Sequence, residues 1–570
     1  MHVVTTERHY KGKVYRSHLL RHSYREDGKV KNETLANLSH LPEAVLELVK
    51  RALNGEHFVE ATEVLEVVRS RLHGAVHAVL TAMKALGFEG LVASRPCHER
   101  SLVIAMVAAR VIQPQSKLAT TRWWDDTTLP ALLGVEGATE DDLYSAMDWL
   151  LDHQTAIEKK LAARHLCEGG LVLYDLSSSY FEGSCCPLGA LGHSRDGKKG
   201  TLQVNYGLVT DALGCPVAVS VFKGNTNDSK TLLPAVKQVQ NRFGIESLVI
   251  VGDRGMITQK QIDELSLDNG IDWITALRST SIQQLVTGGH IQLGLFDDRN
   301  LFEIKHPDFP GERLVACRNA DLAVRRTNKR DSLLQATDKL LQKICTRVES
   351  GRLRGAAKIG VAVGKLVDKH KVGKHFDIEI ADSKLKCTIN KDRVKTEATL
   401  DGIYIIRTSL NKKQLDAPSV VRSYKRLAQV ERAFRSLKTV DLHVRPIFHW
   451  NEDRVRAHIF LCMLAYYVQY HMQEAWRSLL FFDETAWITE SDDPVAPARR
   501  SAAADAKALT KQTDEGERAH SFRTLLGSLA TIVSNECRPK HSKTAATFQI
   551  VTTPSKEQRK AIDLLTVLTA

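Results

Sequence analysis

The chain has 570 residues and a hydrophobic fraction of 43%, which permits several domains with ordinary cores and excludes a disordered chain. Its formal charge of +12 and its pI of about 9.1 disfavour a basic partner surface and favour a polyanion. The ten cysteines are scattered without a repeated C-x-x-C pairing, which argues against a disulfide framework and indicates a reducing cytosol.

The sequence predicts neither a membrane segment nor a zinc site. The N-terminal stretch "MHVVTTERHYKGK" has no apolar signal core, and the longest apolar helix candidate, residues 459–468, is too short to cross a bilayer. Cys185, Cys186 and His193 could be imagined as metal ligands, but adjacent cysteines lack the usual zinc spacing, so we interpret them as packing residues of a small hairpin. We expect a cytoplasmic protein with no membrane partner.

The first part of the chain combines a basic strand pattern with a helical one. The stretch "HYKGKVYRSHLLRHSYREDGKVKNETLANL" mixes apolar and basic residues and turns at Asp27 and Gly28, which predicts short antiparallel strands. Residues 1–95 are therefore expected to form a basic β module with linker helices. Residues 96–166 are helical in pattern, with Thr139 as a helix cap, and predict a compact helical domain.

Two apolar, strand-forming runs each contain one carboxylate. Asp175 lies within "LVLYDLSSSYFEG" and Asp253 ends the apolar run of "ESLVIVGDRGMIT". The alternative for Asp175 is a strand that ends early, with the acid opening a Ser-rich turn. Residues 167–278 read as three antiparallel strands, a helix, a strand, a helix and a strand, which predicts the first part of a mixed α/β core.

Residues 279–400 predict a β-rich basic insertion, because strand patterns surround a helix and Lys and Arg are frequent. The basic stretch begins at Arg325 and Arg326, and its alternative interpretation is a solvated charged face. Residues 401–480 are expected to complete the core, and residues 481–570 to form a C-terminal helical tail.

A third carboxylate, Glu431, lies on a predicted helix that runs to about Lys438. At roughly 100° per residue, Glu431 and Lys438 share a stripe with Tyr424 and neighbouring apolar residues, so both charges are expected to face inward. Arg435 follows Glu431 by four positions, so the alternative is an intrahelical ion pair worth a few tenths of a kcal/mol.

Three inward carboxylates repel one another and lose hydration, so a shared site requires a cation. Oxygen-only ligands suit Mg²⁺ or Mn²⁺. Two such ions can activate a nucleophile and stabilise the leaving oxygen of a phosphodiester. The sequence therefore predicts Asp175, Asp253 and Glu431 as ligands of two divalent ions.

The stretches "YDLSSSYFEG", "GDRGMIT" and "YKRLAQVERAFRSLK", followed by "RPIFH", resemble the DDE transposases of bacterial insertion sequences, in their group-four branch. In that branch the third acid lies in a signature of Tyr, two residues, Arg, three residues, Glu, six residues and Lys. Tyr424, Glu431 and Lys438 match the spacing, but Leu427 fills the Arg position and Arg426 stands one residue early. The N-terminal "SYREDGKVKNETLANL" and the "RPIFHWNEDRVRAHIFLC" segment extend the resemblance over most of the chain.

The resemblance implies an α/β fold with an RNase H-like, retroviral-integrase-like catalytic core that carries the insertion, the N-terminal β module and the helical domain. It implies Asp175, Asp253 and Glu431 as catalytic residues. It also implies that five basic residues and one tyrosine, around this site and in the insertion, contact DNA. These residues are Arg254, Tyr424, Lys438, Arg435, Arg325 and Arg326.

The function that the resemblance implies is binding of the element's terminal inverted repeats, cleavage of the DNA ends and transfer of the 3′ hydroxyl to target DNA. The partners would be double-stranded DNA and a second copy of the chain in a homodimeric synaptic complex, associated with the bacterial nucleoid. Two alternatives are a catalytically inactive, domesticated DNA-binding protein and a metal-dependent nuclease without strand transfer.

Overall fold

A computed structural model describes residues 1–58, 65–183, 185–268, 270–291, 296–484, 493–497, 499–540 and 546–568. The chain forms two compact units. The first contains Met1–Ser70 and Ser534–Thr552, and the second contains Arg71–Val533 and Thr553–Ala570. The boundary near residue 70 precedes the one predicted at residue 95, and the C-terminal segment contributes to both units.

The first unit begins with the predicted antiparallel sheet of β1 (His2–Tyr10), β2 (Lys13–Glu26) and β3 (Lys29–Asn37), followed by α1 (Glu43–Leu53). Asp27 and Gly28 both have positive φ angles, 49° and 78°, as a two-residue hairpin turn of the primed type requires. A second sheet joins distant parts of the chain in the order β16-β15-β4, where β4 is Leu65–Leu72, β15 is Val533–Pro539 and β16 is Phe548–Val551.

Seven helices open the second unit: α2 (Gly74–Ala85), α3 (Phe88–Val92), α4 (His98–Ile112), α5 (Lys117–Trp124), α6 (Leu129–Leu133), α7 (Glu140–Asp152) and α8 (Gln154–His165). Thr139 caps α7 through a capping box with Asp142, as the sequence predicted. The apolar faces of these helices share one continuous hydrophobic core with the large sheet. The helices of residues 96–166 therefore pack against the large sheet.

The large sheet confirms the predicted element order. It is built from β5 (Gly170–Tyr180), β6 (Gln203–Thr210), β7 (Pro216–Lys223), α9 (Ser229–Lys237), β8 (Leu248–Val251), α10 (Gln259–Leu265) and β9 (Ile271–Ala276). The spatial order is β7-β6-β5-β8-β9. The first three strands pair antiparallel, and β8 pairs parallel with both β5 and β9. This mixed α/β sheet is the core that the RNase H-like fold class requires.

Helices dominate the insertion, which corrects the expectation of a β-rich segment. Its elements are α11 (Ser279–Thr287), β10 (Leu301–Ile304), β11 (Arg313–Arg318), α12 (Ala320–Glu349), α13 (Ala356–His370), β12 (Phe376–Ala381), β13 (Lys384–Ile389) and α14 (Lys391–Ala398). The strands β10 and β11 continue the large sheet, whereas α12, α13 and the β12–β13 hairpin surround a hydrophobic core of their own. The helix expected in this segment is α12, whereas α13 was not expected because its Lys residues were interpreted as part of a basic stretch.

The core resumes with β14 (Ile403–Thr408), which lies between β9 and β11. The predicted single helix to Lys438 is instead α15 (Ala417–Lys425), α16 (Leu427–Arg435) and a π-helical turn, Ser436–Val440. The division occurs at Arg426, whose backbone N–H is shared between the carbonyls of Arg422 and Ser423, a tightening typical of helix ends.

The last helices are α17 (Glu452–Ala475), α18 (Ala502–Thr510), α19 (Phe522–Leu529) and α20 (Lys556–Thr566). Most of α17 is buried in the main core, which explains its long apolar run. Among the described residues, no helix combines the length and apolar character needed to cross a bilayer.

Candidate active site

The three predicted carboxylates line one cleft of about 370 Å³. Asp175 lies on β5, and Asp253 follows β8, whose Val251 is paired with Leu173 in the parallel register. Glu431 lies on α16, which packs against β5. Neighbouring parallel strands therefore bring the two aspartates together, and the helix adds the third acid.

Asp175 is the half-buried member of the three, whereas Asp253 and Glu431 are exposed. Loss of hydration, together with the smaller effects of the Asp253 and Glu431 charges, raises the pKa of Asp175 to about 7, against the lowering effects of the Leu176 N–H and of Arg195. The Leu176 N–H donates to Asp175 Oδ1 at 2.8 Å. The site thus concentrates negative charge that a cation would offset.

The donor set fits hard divalent cations, because all three side chains offer carboxylate oxygens. Among the described residues, the carboxylate oxygens of these three acids do not all lie within 4.8 Å of one another. The group of ligand atoms that meets this distance consists of other residues. Two ions about 3.5 to 4 Å apart can be held by carboxylates that lie farther from one another than the ligands of a single ion do. The arrangement is therefore compatible with the predicted pair of ions.

Tyr424 and Arg254 both adjoin Asp253, but in different ways. The Tyr424 hydroxyl donates to Asp253 Oδ1 at 3.4 Å, and burial together with the Asp253 charge raises the pKa of Tyr424. The Arg254 side chain is exposed and lines a second cleft of about 620 Å³ with Arg326. Arg325 is exposed and lines neither cleft.

Lys438 lines the carboxylate cleft but is already bound to a buried acid. Its Nζ donates to Asp196 Oδ1 at 3.1 Å, and Arg445 also forms an ion pair with that oxygen. The Tyr180 N–H donates to the other oxygen of Asp196 at 3.0 Å. Burial lowers the pKa of Lys438, and Asp196 opposes that shift. Asp196 therefore fixes the position of Lys438.

Sequence reasoning missed three charged residues at this site. Besides Asp196, these are Arg195 and Asp228, which line the cleft and form an ion pair in which Arg195 Nη2 lies 2.6 Å from both carboxylate oxygens of Asp228. Arg195 and Asp196 are adjacent charged residues in "HSRDGKK", close to predicted strands. Their partners are distant in the sequence, so the local pattern did not identify these ion pairs. Arg435 lines the cleft, and among the residues that the structure describes no ion pair joins it to Glu431.

Among the described residues, the group with ligand atoms within 4.8 Å of one another is His165, Cys215 and His471. Burial lowers the pKa of His165 to about 4 and that of His471 to about 3, so both imidazoles are neutral near pH 7. His165 Nε2 lies 3.1 Å from the Tyr467 hydroxyl, and Cys215 Sγ lies 3.7 Å from His471 Nε2. Partners within the core thus satisfy this cluster.

Comparisons with known proteins identify the family of the chain. Residues 189–468 match the model of the transposase DDE domain, and residues 3–63 match that of the IS1634 family transposase N-terminal domain. The first match begins after Asp175 and includes Asp253 and Glu431. The Tyr, Arg, Glu and Lys subgroup signature is not confirmed by either match. No curated protein matches the chain.

Two solved structures show distant similarity. A piggyBac transposase synaptic complex with hairpin DNA is 9% identical, with a TM-score of 0.34 over 80% of this chain and 79% of that one. A Mos1 transposase paired-end complex with left transposon end is 12% identical, with a TM-score of 0.14 over 34% of this chain and 66% of that one. These scores are too low to argue from. The two family matches, which cover the N-terminal sheet and all strands of the large sheet except β5, place the chain in the DDE transposases of insertion sequences.

Proposed function

We propose that this transposase binds the terminal inverted repeats of its own element, cleaves the DNA ends, and joins the freed 3′ hydroxyl to target DNA. Double-stranded DNA is the substrate in both steps, and two copies of the chain hold the two ends in a synaptic complex. The basic N-terminal sheet would contact the ends mainly through phosphates, consistent with the formal charge of +12.

In this proposal Asp175, Asp253 and Glu431 hold two Mg²⁺ or Mn²⁺ ions. When bound, such ions supply Lewis-acid activation of the nucleophile and of the leaving oxygen. Tyr424 orients Asp253 through its hydroxyl, and Arg195 and Arg435 present positive charge to the phosphodiester from the cleft wall. The cleft offers acids rather than an activated Ser or Cys nucleophile, so the attacking groups are water and then the DNA 3′ hydroxyl.

The observation that carries the proposal is the convergence of three carboxylates, from two parallel strands and a helix, on a cleft that also exposes cations. Carboxylates alone would repel a phosphodiester. Divalent ions on the acids, with Arg195, Arg435 and Lys438 alongside, make the same cleft attractive to it.

The test uses a duplex that carries the inverted repeats flanking the gene. We expect Asp175→Asn, Asp253→Asn and Glu431→Gln each to reduce Mg²⁺-dependent cleavage by more than about 100-fold, while end binding stays near that of the wild type. Glu264→Gln, which changes an exposed acid on α10, is the matched control and should cleave normally.

A thermal melt separates a metal-binding role from a structural one. Mn²⁺ should raise the melting temperature of the wild type but not that of Asp175→Asn, because ligands that bind only the folded state stabilise it. Normal cleavage by any of the three variants would refute that residue's assignment. Cleavage without joining of labelled ends to a plasmid would indicate a nuclease, and binding without cleavage an inactive DNA-binding protein.

A further inference from the structure

Two imidazoles and a thiol from separate elements meet in the core of the second unit, and we call them the His165 cluster. His165 ends α8, Cys215 immediately precedes β7, and His471 lies on α17. One ligand atom from each residue lies within 4.8 Å of the other two. Cys215 and His471 are 256 positions apart, so no local motif predicts the cluster.

The distances within the His165 cluster are close to those of a metal site. Zinc bonds to nitrogen and sulfur are about 2.0 to 2.3 Å long, which places the ligand atoms of a tetrahedral ion about 3.5 Å apart. Cys215 Sγ and His471 Nε2 lie 3.7 Å apart. The His165 nitrogen would have to approach the other two atoms by roughly 1 Å at most. His165 is the last residue of its helix and is only half-buried, so this approach leaves α8 intact.

Hydrogen bonds already position the ligand atoms of the cluster. Cys215 and His471 are 1% and 7% exposed, and their side chains contact each other. The Cys215 N–H donates to Asp211 Oδ1 at 2.9 Å, which fixes the backbone that carries the thiol. The Tyr467 hydroxyl lies 3.1 Å from His165 Nε2 and restrains that ring. Such outer partners are what orients the ligands of metal sites.

The charges around the thiol favour a cation. Asp211 acts on Cys215 most strongly, and Glu474 adds a smaller effect because it also forms an ion pair with Arg477. Arg164 acts in the opposite sense on both imidazoles. A divalent ion bound to one thiolate and two neutral imidazoles keeps one positive charge, which the Asp211 carboxylate offsets.

The ligand types of the cluster select the metal. Imidazole and thiolate suit zinc, whereas Mg²⁺ and Mn²⁺ prefer the oxygen ligands of the carboxylate cleft. Zinc also takes an oxygen beside three protein ligands. The Tyr467 hydroxyl, or solvent on the exposed side of His165, supplies that oxygen.

We propose that His165, Cys215 and His471 bind one Zn²⁺ ion, with the Cys215 thiol releasing its proton to solvent as the Zn–S bond forms. The ion would join the end of α8 and the segment before β7 to α17. It would therefore stabilise the core that carries the carboxylate cleft and take no part in phosphodiester chemistry. This inference does not depend on the proposed function, since its test contains no DNA.

The probe is Co²⁺, which occupies zinc sites and absorbs visible light in tetrahedral coordination. Wild-type protein is dialysed against a chelator, kept reduced, and titrated in excess Mg²⁺, which occupies carboxylate sites. We expect one equivalent of Co²⁺ to bind with a thiolate-to-cobalt charge-transfer band, and Zn²⁺ to displace it. Zn²⁺ at about 100 times its Kd should raise the melting temperature by about 3 °C.

Variants assign the ligands. Cys215→Ser should abolish the charge-transfer band, and His471→Gln should weaken Co²⁺ binding by more than about tenfold. Cys462→Ser is the matched control, because it removes another fully buried thiol of α17, which lies 3.9 Å from a single imidazole, that of His458. This control should keep the band and the zinc-dependent shift. A cooperative melt in chelator checks that each variant is folded.

A wild type that shows no charge-transfer band at one equivalent of Co²⁺ would overturn the proposal. A band of wild-type intensity in folded Cys215→Ser would also overturn it, as would a band lost to the same extent in Cys462→Ser. If Cys215→Ser does not fold, His165→Gln at the half-buried position decides the question. Wild-type Co²⁺ affinity in that variant would contradict the proposal, and a loss of more than about tenfold would support it.

Discussion

Asp196 is a single buried carboxylate on which two cations near the active site depend. Its side chain is 2% exposed, and it binds Lys438 and Arg445, whose side chains are 10% and 20% exposed. We expect Asp196→Asn to lower the free energy of unfolding by about 3 kcal/mol, because it leaves two largely buried positive charges without their counterion. Urea denaturation at pH 7 measures the change.

Glu264→Gln is the control for that measurement. Glu264 lies 3.9 Å from Lys260 in an exposed pair, so its loss should change stability by less than about 0.5 kcal/mol. An Asp196→Asn variant as stable as this control would show that the network does not hold Lys438 in place.

Glu158 makes stability depend on pH. It is 1% exposed and accepts hydrogen bonds from Val219 N, Gln154 and Gln238 at 3.1, 2.7 and 2.7 Å. Burial raises the pKa of Glu158 from 4.5 to about 7, so between these values the folded state binds the proton more tightly than the unfolded state. Its contribution to stability is complete below about pH 4.5 and is lost as pH rises to about 7.

We therefore expect wild-type unfolding free energy to fall between about pH 5 and 7 more steeply than that of Glu158→Gln, which cannot ionise. Chemical denaturation at several pH values gives both curves. Parallel curves would mean that Glu158 keeps an ordinary pKa in the folded protein.

Local pattern was sufficient to find the three acids, but not their surroundings. Asp175 and Asp253 interrupt apolar runs, and Glu431 falls on a helical stripe, so each is visible within about ten residues. Lys438 and Asp196 are 242 positions apart, and nothing local marks them as partners. The resemblance implied a DNA contact for Lys438, but its ion pair with Asp196 could not be predicted from the sequence.

At the scale of elements, the segment from α12 to α14 is inserted into a hairpin. Arg318 ends β11 and is paired with Ile403, which begins β14, and the Asn319 N–H donates to the Gly402 carbonyl at 2.9 Å. Gly402 has a φ of +79°, and a Cβ there would lie 2.3 Å from the Asn319 carbonyl oxygen. The two ends of the segment are therefore adjacent.

We expect a chain lacking residues 320–401 to keep its core. Direct joining gives Arg318-Asn319-Gly402-Ile403, an Asn-Gly turn of the kind that two-residue hairpins prefer. The excised part has a hydrophobic core of its own, so few contacts of the main core are lost. Circular dichroism and a cooperative urea transition would confirm folding, and an aggregated or non-cooperative product would contradict the expectation.

Element order was predictable in the core and less so in the insertion, for a physical reason. The strands β5 to β9 are short, apolar and separated by turn residues, so pattern and structure agree. In the insertion the pattern predicted the helix α12, but no helix was predicted at α13 and α14, which are rich in Lys and Arg. The break between α15 and α16 depends on tertiary packing around Tyr424 and Leu427 and could not be read from propensity.

At the scale of the whole molecule, the net charge of +12 predicts binding that is sensitive to salt. Cations that contact phosphates displace counterions, so affinity for end-containing duplex should fall by roughly 10³-fold between about 50 and 200 mM salt if six or more phosphates are contacted. Fluorescence anisotropy at several salt concentrations gives the slope. A nearly flat plot of log affinity against log salt would contradict a phosphate-dominated interface.

Domain boundaries were the least predictable property of the chain. Residues 96–166 have the composition of an independent helical domain, but the faces of α4 and α7 are buried in the core of the catalytic sheet. A sequence pattern shows which face of a helix is apolar and does not show what covers it. The C-terminal segment illustrates the same limit, since its strands belong to the first unit and its helices to the second.

The sheet of β4, β15 and β16 has a consequence for synthesis on the ribosome. Ser70 Oγ donates to Asn535 Oδ1 at 2.7 Å, and Glu66 forms an ion pair with Arg538. Strand β4 therefore pairs only after residues more than 460 positions later in the chain have been synthesised. The β1–β3 sheet can form as soon as it emerges, but its unit is completed only after β16 has been synthesised. Full assembly of the N-terminal unit therefore follows synthesis of every strand of the large sheet.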